Sequence, residues 1–401
     1  MVLVEDDSPI KDELFDNSVV TVEEDEVSSD DQFNDEEPVV REEAKLLDMT
    51  ELERRRAQAF LYLCANRKIV VSRQDIIATV LDAYRSNLEL EHHRLTVELK
   101  DEIAVDLDGV TKEMFQLFFS AFAEKYMTGH LEKVPNNDHR LHATDLYRTL
   151  GRIIAHAFVL CGYWPIAINK ATLTASLTAA VSEDLVLSSF LGMLNERECH
   201  ILQALLHGRG SEDDQLRCLG VLTRFDCRQR VTNLNARDIL TTLASAVTIY
   251  RPFHAVLQIG QGLTSYNNLW NGVGEQHIVR LFQQALPDAT KVEDVILPVF
   301  SEDEACRVME ERVVIFLKTW MASLRPDQFR DFFIFWTASD AILPNQVLRV
   351  DFNSTDGLGR RPAATTCSDT LSLSRLYFSQ EDFDQDMQVI FSEHSKIMDA
   401  L

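Results

Sequence analysis

The stretch QVLRVDFNSTDGLGRRPAATTCSDTLSL, residues 346–373, decides how the last part of this chain folds. Apolar and polar side chains alternate at both of its ends, a pattern that predicts two β-strands. The alternating apolar residues are Leu348, Val350, Phe352, Leu371 and Leu373. The residues between them include Asp-Gly and Pro, which are typical of turns and loops. We therefore expect Cys367 to lie where a loop meets the second strand.

Helices are predicted on both sides of this stretch. Before it, apolar residues repeat at helical spacing over residues 311–324, and a second helical pattern begins at Pro326. The apolar face of the second pattern consists of Phe329, Phe332, Phe333 and Trp336. After it, Ser379 and Asp382 have the spacing of a helix cap. This mixture of helices and strands predicts a small α+β module over residues 310–401.

The longer part of the chain before this module is predicted to be mainly helical, because apolar residues repeat at helical spacing in most of its segments. HRLTVEL, residues 93–99, is an exception whose alternation predicts a strand. Residues 286–305 hold two prolines and scattered acidic residues. We place a domain boundary or hinge within them.

The 401-residue chain has a formal net charge of −25, most of it in the first 48 residues. Residues 1–48 hold 18 acidic and 3 basic residues with little apolar material, so we expect a disordered tail. The acidic balance argues against binding nucleic acid or an anionic membrane, which both require a basic surface. The longest apolar run, residues 153–168, is too short to span a bilayer. Residues 1–30 lack a secretory signal pattern, so we expect a cytoplasmic or nuclear protein.

Within the acidic tail, residues 19–26 have the sequence VVTVEEDE. Val19, Val20 and Val22 are β-branched residues that can add a strand to the sheet edge of a partner, while the acids meet basic residues beside it. The segment resembles a SUMO-interacting motif, which makes SUMO a candidate partner. The alternative is a solvated linker, because short patterns of this kind arise by chance in acidic tails.

The cysteines and histidines do not predict a metal site. The seven cysteines include no Cys-x-x-Cys pair, and disulfides are not expected in a reducing compartment. Those in residues 199–227 are spaced too irregularly, together with the nearby histidines, for a zinc site. His156 lies in an apolar helical pattern, and we interpret it as a hydrogen-bonded core residue rather than a ligand.

Cys367 has two interpretations from residue chemistry alone. Most cysteines of intracellular proteins are small buried hydrophobic residues. A thiol is also a strong nucleophile whose thioester stays reactive toward amines, which suits a group that receives and passes on an acyl unit. In that case Arg360 and Arg361 would favour the thiolate, and Ser368 and Asp369 could hydrogen-bond an incoming group.

The last hundred residues resemble the C-terminal lobe of HECT-type ubiquitin ligases, with a helix in QFRDFFIFWTASDAILP and a cysteine loop in RRPAATTCSDTLSLS. Three upstream segments are similar to motifs of the same family and follow the family's order. They are LTVELKDEIAVDLDGVTKEMFQLFF, LYRTLGRIIAHAFV and VTNLNARDIL. The resemblance covers residues 70–401.

The resemblance implies a bilobal α+β fold with a mainly helical N-lobe at residues 49–300, a hinge at 301–309 and a small C-lobe at 310–401. In this family the N-lobe docks a ubiquitin-conjugating enzyme, ubiquitin passes to the C-lobe cysteine as a thioester, and a lysine of a protein substrate then attacks it. Carried over to this chain, Cys367 is the thioester acceptor and Thr366 is the threonine before it. The resemblance implies no metal and no small cofactor.

Asp369 and Met398 are expected to support the transfer. Met398 stands where the family often has a phenylalanine near its end, and methionine is an apolar and adaptable replacement. A second hypothesis is a HECT-like binding protein that has lost efficient transfer and acts through its acidic tail. Thr365, Ser368 and Met398 favour it, since all three depart from the family's usual residues. A cysteine protease is disfavoured because the sequence reveals no Cys-His-Asp arrangement.

Overall fold

The computed structural model describes residues 49–100 and 109–388, and these residues form an α+β fold, as predicted. The helices are α1 (Met49–Leu61), α2 (Ile76–Ser86), α3 (Gly109–Tyr126), α4 (His139–His142), α5 (Leu146–Cys161), α6 (Lys170–Leu177), α7 (Glu183–Gly192), α8 (Glu196–Leu206), α9 (Glu212–Thr223), α10 (Ala236–Ser245), α11 (Phe253–Leu263), α12 (Asn267–Trp270), α13 (Glu275–Ala285), α14 (Ala289–Val295), α15 (Glu304–Ser323) and α16 (Pro326–Thr337). The strands are β1 (Cys64–Val71), β2 (His93–Leu99), β3 (Met127–Gly129), β4 (Lys133–Pro135), β5 (Ile296–Pro298), β6 (Leu348–Asn353), β7 (Ala363–Thr365) and β8 (Thr370–Ser374). Residues 380–388 are also helical.

The strands lie in small separate sheets. β1 and β2 pair in parallel with α2 between them, while β3 and β4 form an antiparallel hairpin. A four-stranded sheet has the order β5-β6-β8-β7, in which β7 runs antiparallel to β8 and the other pairs are parallel. β6 and β8 confirm the two strands predicted from the alternating apolar residues.

The first hydrophobic core is built around α5, whose side chains are buried on nearly all sides. It packs against α11 at a distance that only glycine permits. A Cβ atom on Gly151 would lie 2.2 Å from the carbonyl oxygen of Ile259, and one on Gly262 would lie 2.1 Å from that of Arg148. The motif that contains Gly151 therefore serves close helix packing.

A second core lies within α7, α8, α9 and α10. Three of these helices begin with a side-chain cap, in which Ser182, Asn195 and Ser211 accept hydrogen bonds from backbone N–H groups of the first turn. Caps of this kind satisfy amides that have no partner within the helix. The buried apolar residues of the four helices form an interior that is separate from the first core.

The third core belongs to the predicted C-terminal module, and it also contains residues that precede position 310. Val292 of α14 is buried together with Val313, Trp336, Leu348 and other residues of α15, α16, β6 and β8. α15 begins at Glu304, where the carboxylate of Asp303 caps the helix by accepting from the amide of Cys306 at 2.9 Å. Residues 304–309 are thus helical, and movement about residues 301–309 stays a prediction.

The segment that follows α16 connects this third core to the first. Asp340 is 2% exposed and accepts hydrogen bonds from the Tyr163 hydroxyl at 2.5 Å and the Arg330 guanidinium at 2.6 Å. The amide of Ile342 donates to the carbonyl of Ala285 at 2.8 Å. A buried carboxylate that is satisfied from both sides fixes how the two parts lie against each other.

His156 confirms the interpretation as a core residue. Its side chain is fully buried, its Nδ1 lies 2.7 Å from the Tyr84 hydroxyl, and its Nε2 lies 2.8 Å from the carbonyl oxygen of His93. The carbonyl can only accept, so Nε2 carries the proton and Nδ1 accepts from the tyrosine. Burial of the ring lowers the pKa of His156 from 6.5 to about 3.

This lowered pKa predicts an acid-sensitive fold. Below pH 6.5 the unfolded chain binds a proton at His156 that the folded chain refuses until about pH 3, so stability falls as the pH falls through this window. We expect the free energy of unfolding to drop by about 2 kcal/mol between pH 6.5 and pH 4.5 from this group. Urea titrations across this range measure the effect. His156→Gln should be less stable at neutral pH, and its free energy of unfolding should decline less steeply with falling pH. The control His200→Gln changes an exposed histidine and should keep the wild-type slope. Equal slopes in the wild type and both variants would contradict the assignment.

Candidate functional site

Cys367 lies at the end of a β-hairpin. Its backbone belongs to a single 3₁₀ turn, Thr366–Ser368, that joins β7 to β8, and Thr365 pairs with Thr370 at the base of the turn. The amide of Asp369 closes the turn on the carbonyl of Thr366 at 3.4 Å. The predicted loop before the cysteine therefore ends in a short strand, which the sequence pattern did not predict.

The backbone of Asp369 fixes the turn to its surroundings. Its φ angle is 49°, in the left-handed region that aspartate tolerates better than most residues. The Asp369 carbonyl accepts from the Trp336 indole N–H at 3.0 Å and from the Arg349 amide at 2.9 Å. The turn is thereby held by α16 and β6, and it also lies against α3.

The Asp369 carboxylate is buried at the junction of the C-terminal module with α3. The residue is 7% exposed, and its Oδ2 accepts from the Gln346 amide at 3.1 Å and lies 3.8 Å from Nζ of Lys112. Its Oδ1 has no hydrogen-bond partner among the described residues. Burial raises the pKa of Asp369, and Lys112 and Gln346 oppose that rise.

The Ser368 hydroxyl is engaged within the turn. It lies 2.9 Å from the hydroxyl of Thr370, and the Thr370 hydroxyl in turn lies 3.1 Å from the carbonyl oxygen of Ser368. An incoming group would have to compete with this pairing for the serine. Of the two polar residues that follow the cysteine, Asp369 is therefore the one with an unused acceptor.

Arg360 does not supply the unpaired positive charge that its place in the sequence suggested. Its guanidinium donates to both oxygens of Asp382, at 2.9 and 3.2 Å, and to Asp386 at 2.9 Å. It also lies over the ring of Tyr377, 4.5 Å from the ring centroid. Two carboxylates balance this arginine, whereas Lys112 from the N-terminal part of the chain pairs with Asp369 of the turn region.

A polar cleft opens beside the turn, with a volume of about 580 Å³. It is bounded by β2, by the beginning of α3, by the end of α5 and by residues 343–347. Its polar lining consists of Asn66, Arg94, Thr96, Thr111, Lys112, Asn345, Gln346 and Asp369. Residues of the N-terminal part and of the C-terminal module line the cleft together. Sequence periodicity predicts single elements and could not indicate this contact between distant segments.

The other predicted site residues are placed only in part. Thr366 lies in the cysteine turn and is half-buried. Met398 and the candidate SUMO-binding residues Val19, Val20 and Val22 lie outside the described residues. Sequence reasoning missed Lys112 and Gln346, although Lys112 falls within one of the segments on which the family resemblance rests.

No cluster of three or more histidine, cysteine, aspartate or glutamate side chains suited to a metal ion occurs in residues 49–100 and 109–388. Among the described helices, none has the length and apolar character needed to cross a membrane. No protein-family model matches the chain, and no curated protein matches it.

Proposed function

We propose that the chain is a HECT-type ubiquitin-protein ligase with a bilobal fold, in which Cys367 receives ubiquitin as a thioester. The observation that carries the proposal is the position of this cysteine in the motif that suggested the family. Cys367 lies in a hairpin turn that α3, α16 and β6 hold in place, beside an open polar cleft. A reactive group on a turn supported by rigid elements is a common arrangement in enzymes.

The proposed reaction has two acyl transfers. In the first, the Cys367 thiolate attacks the thioester that links ubiquitin to the conjugating enzyme; a new carbon–sulfur bond forms, the old one breaks, and the donor's thiolate leaves. In the second, the neutral amine of a substrate lysine attacks the new thioester, an amide bond forms, and Cys367 is released as a thiol. Neither transfer changes an oxidation state, and neither requires a metal or small cofactor.

The arrangement of the two parts suits these steps. The turn is held partly by its own module, through Trp336 and Arg349, and partly by Lys112 of α3. The contacts within the module keep the turn intact if the module moves. Such a movement has to break the packing of the turn against α3, the Lys112 ion pair and the Tyr163–Asp340 hydrogen bond. Movement about residues 301–309 would then let one cysteine meet the conjugating enzyme and afterwards the substrate.

The partners of this function are ubiquitin, a ubiquitin-conjugating enzyme and a protein substrate, in the cytoplasm or nucleus. The acidic residues 19–26 would add SUMO, or a protein that carries it, as a further partner of the tail. Binding of nucleic acid or of a membrane is not part of the proposal, since the net charge of −25 opposes both.

The test is a single-turnover reaction with ubiquitin-activating and ubiquitin-conjugating enzymes, analysed on a non-reducing gel. We expect the wild-type chain to form a ubiquitin adduct that a reducing thiol removes, because thioesters exchange with thiols. Cys367→Ala should abolish the adduct completely. Cys64→Ala, which removes an exposed thiol on β1, is the matched control and should leave the adduct unchanged. An adduct that persists in Cys367→Ala, or none on the wild type with a broad panel of conjugating enzymes, would overturn the proposal.

One observation favours the second candidate, a HECT-like binding protein with weak or no transfer. Arg360 is paired with Asp382 and Asp386, so it does not favour the Cys367 thiolate as an unpaired cation would. The protein would then act through its acidic tail. The same gel separates the two candidates, because a binding protein yields no thiol-labile adduct from any conjugating enzyme.

A further inference from the structure

We propose that the polar cleft beside the cysteine turn is the subsite for the acceptor lysine, and that the Asp369 carboxylate receives the proton of the lysine's ammonium group. The inference rests on the proposed function, since it concerns the second transfer of that reaction. In this step Asp369 is the proton acceptor, and Lys112 is a neighbouring positive charge that favours the neutral form of the substrate amine.

Asp369 is the one carboxylate among the described residues that line the cleft. Asp369 is only 7% exposed, yet its Oδ1 has no hydrogen-bond partner in the described part of the chain. A buried carboxylate oxygen without a donor is unfavourable, and a ligand that brings an N–H group relieves it. Rotation about the Cβ–Cγ bond exchanges the two oxygens, so either of them can face the cleft.

The carboxylate already receives one ammonium group, from Lys112, whose Nζ lies 3.8 Å from Oδ2. A substrate lysine that binds the same carboxylate therefore meets a like charge. Like charges disfavour the protonated form of an amine, so Lys112 promotes loss of a proton from the incoming lysine. The Asp369 carboxylate thus attracts the ammonium group, and the neighbouring Lys112 favours its conversion to the neutral nucleophile.

The remaining lining fits a lysine side chain. Phe60, Leu160 and Leu343 offer apolar surface for its methylene groups, which pack well against such residues. The charged and titratable groups that face the cleft are Arg94 of β2, Lys112 of α3, Cys161 of α5 and Asp369 itself. Arg94 is exposed and lies over the ring of Phe60, 5.0 Å from its centroid.

The proton balance of the step is complete with the groups present. The substrate ammonium gives one proton to the Asp369 carboxylate, and the neutral nitrogen attacks the thioester carbonyl carbon on Cys367. The carbon–sulfur bond breaks, and a second proton of the nitrogen passes to the leaving thiolate, which becomes a thiol. The product is an amide, and Asp369 returns its proton to water.

The test follows discharge of the ubiquitin thioester from the full-length chain onto two small amines. Free lysine is an ammonium ion at neutral pH and needs a proton acceptor, whereas hydroxylamine is uncharged there and needs none. In Asp369→Asn we expect discharge onto lysine to slow by about a hundredfold or more relative to discharge onto hydroxylamine, the lower end of the range for a lost general base. The defect should shrink toward pH 9.5, where more of the lysine is neutral.

Two variants keep the test decisive. Asp351→Asn removes an exposed carboxylate on β6 and should keep the wild-type ratio of the two rates. If Asp369→Asn fails to fold or to carry the thioester, Lys112→Met decides, since loss of the like charge should move the pH profile of lysine discharge to higher pH. An equal loss with both amines, a defect independent of pH, or an unmoved profile in Lys112→Met would overturn the inference alone. Absence of any thioester on the wild type overturns the proposed function as well.

Discussion

Replacing Arg152 by methionine is expected to lower the free energy of unfolding by about 3–5 kcal/mol, because it leaves a buried carboxylate without its counter-ion. Nε and Nη2 of Arg152 bind both oxygens of Glu91 at 2.7 and 2.5 Å, and the two side chains are 9% and 3% exposed. The same guanidinium donates to the carbonyls of Tyr84 and Asn87 at 2.8 and 3.0 Å. The Arg152 side chain of α5 therefore binds the segment that runs from the end of α2 to β2 at three of its residues.

The matched control is Arg148→Met on the exposed face of the same helix, where we expect a change of about 0.5 kcal/mol or less. The double variant Arg152→Met with Glu91→Leu should recover part of the loss, since replacing both charges removes the desolvation penalty that remains when one is left alone. Urea unfolding followed by circular dichroism measures all three. Equal stability of Arg152→Met and Arg148→Met would show that the buried pair contributes nothing specific.

Replacing Glu310 by alanine is expected to cost about 3–5 kcal/mol for a related reason. Glu310 is fully buried on α15, and its carboxylate accepts from the amide of Ser301 at 2.7 Å and from the hydroxyl of that serine at 2.6 Å. Nη2 of Arg375 lies 3.3 Å from the same carboxylate. The residue joins the predicted hinge segment to the turn that follows β8.

Hydrogen exchange gives this second prediction a local measurement. In Glu310→Ala the amide of Ser301 loses its acceptor, so its exchange should accelerate well beyond that of amides in the middle of α15. Glu311→Ala, an exposed neighbour on the same helix, should leave both stability and exchange close to the wild type. Unchanged exchange at Ser301 in Glu310→Ala would mean that the carboxylate does not hold the segment.

Local patterns predicted the elements around the cysteine well. The spacing of Phe329, Phe332, Phe333 and Trp336 indicated α16, and alternation indicated β6 and β8, because one buried face imposes a period on the sequence. The start of α15 at Glu304 was missed by seven residues relative to the predicted span. Its first turns are mostly exposed to solvent, so they do not continue the buried apolar face, and the cap at Asp303 was the signal that could have located the start.

The site itself depends on contacts that no period encodes. Lys112 and Asp369 come together from opposite parts of the chain, and Gln346 reaches the same carboxylate from the beginning of the strand stretch. Arg360 was assigned to the cysteine by proximity in sequence, whereas Asp382 and Asp386, one helical turn apart, compete for it more effectively. Neighbours along the chain are a poor guide to which charges meet, because tertiary packing decides the pairs.

The pairing of Arg360 with Asp382 and Asp386 also determines when the loop before Cys367 can fold during synthesis. A growing polypeptide leaves the ribosome from its amino end, so Arg360 emerges before Asp382 and Asp386. The loop ahead of Cys367 can therefore be fixed by this pairing only when the helix at residues 380–388 has begun to form. The backbone around Cys367 therefore reaches its final arrangement only after residues that follow it in the sequence have been synthesised.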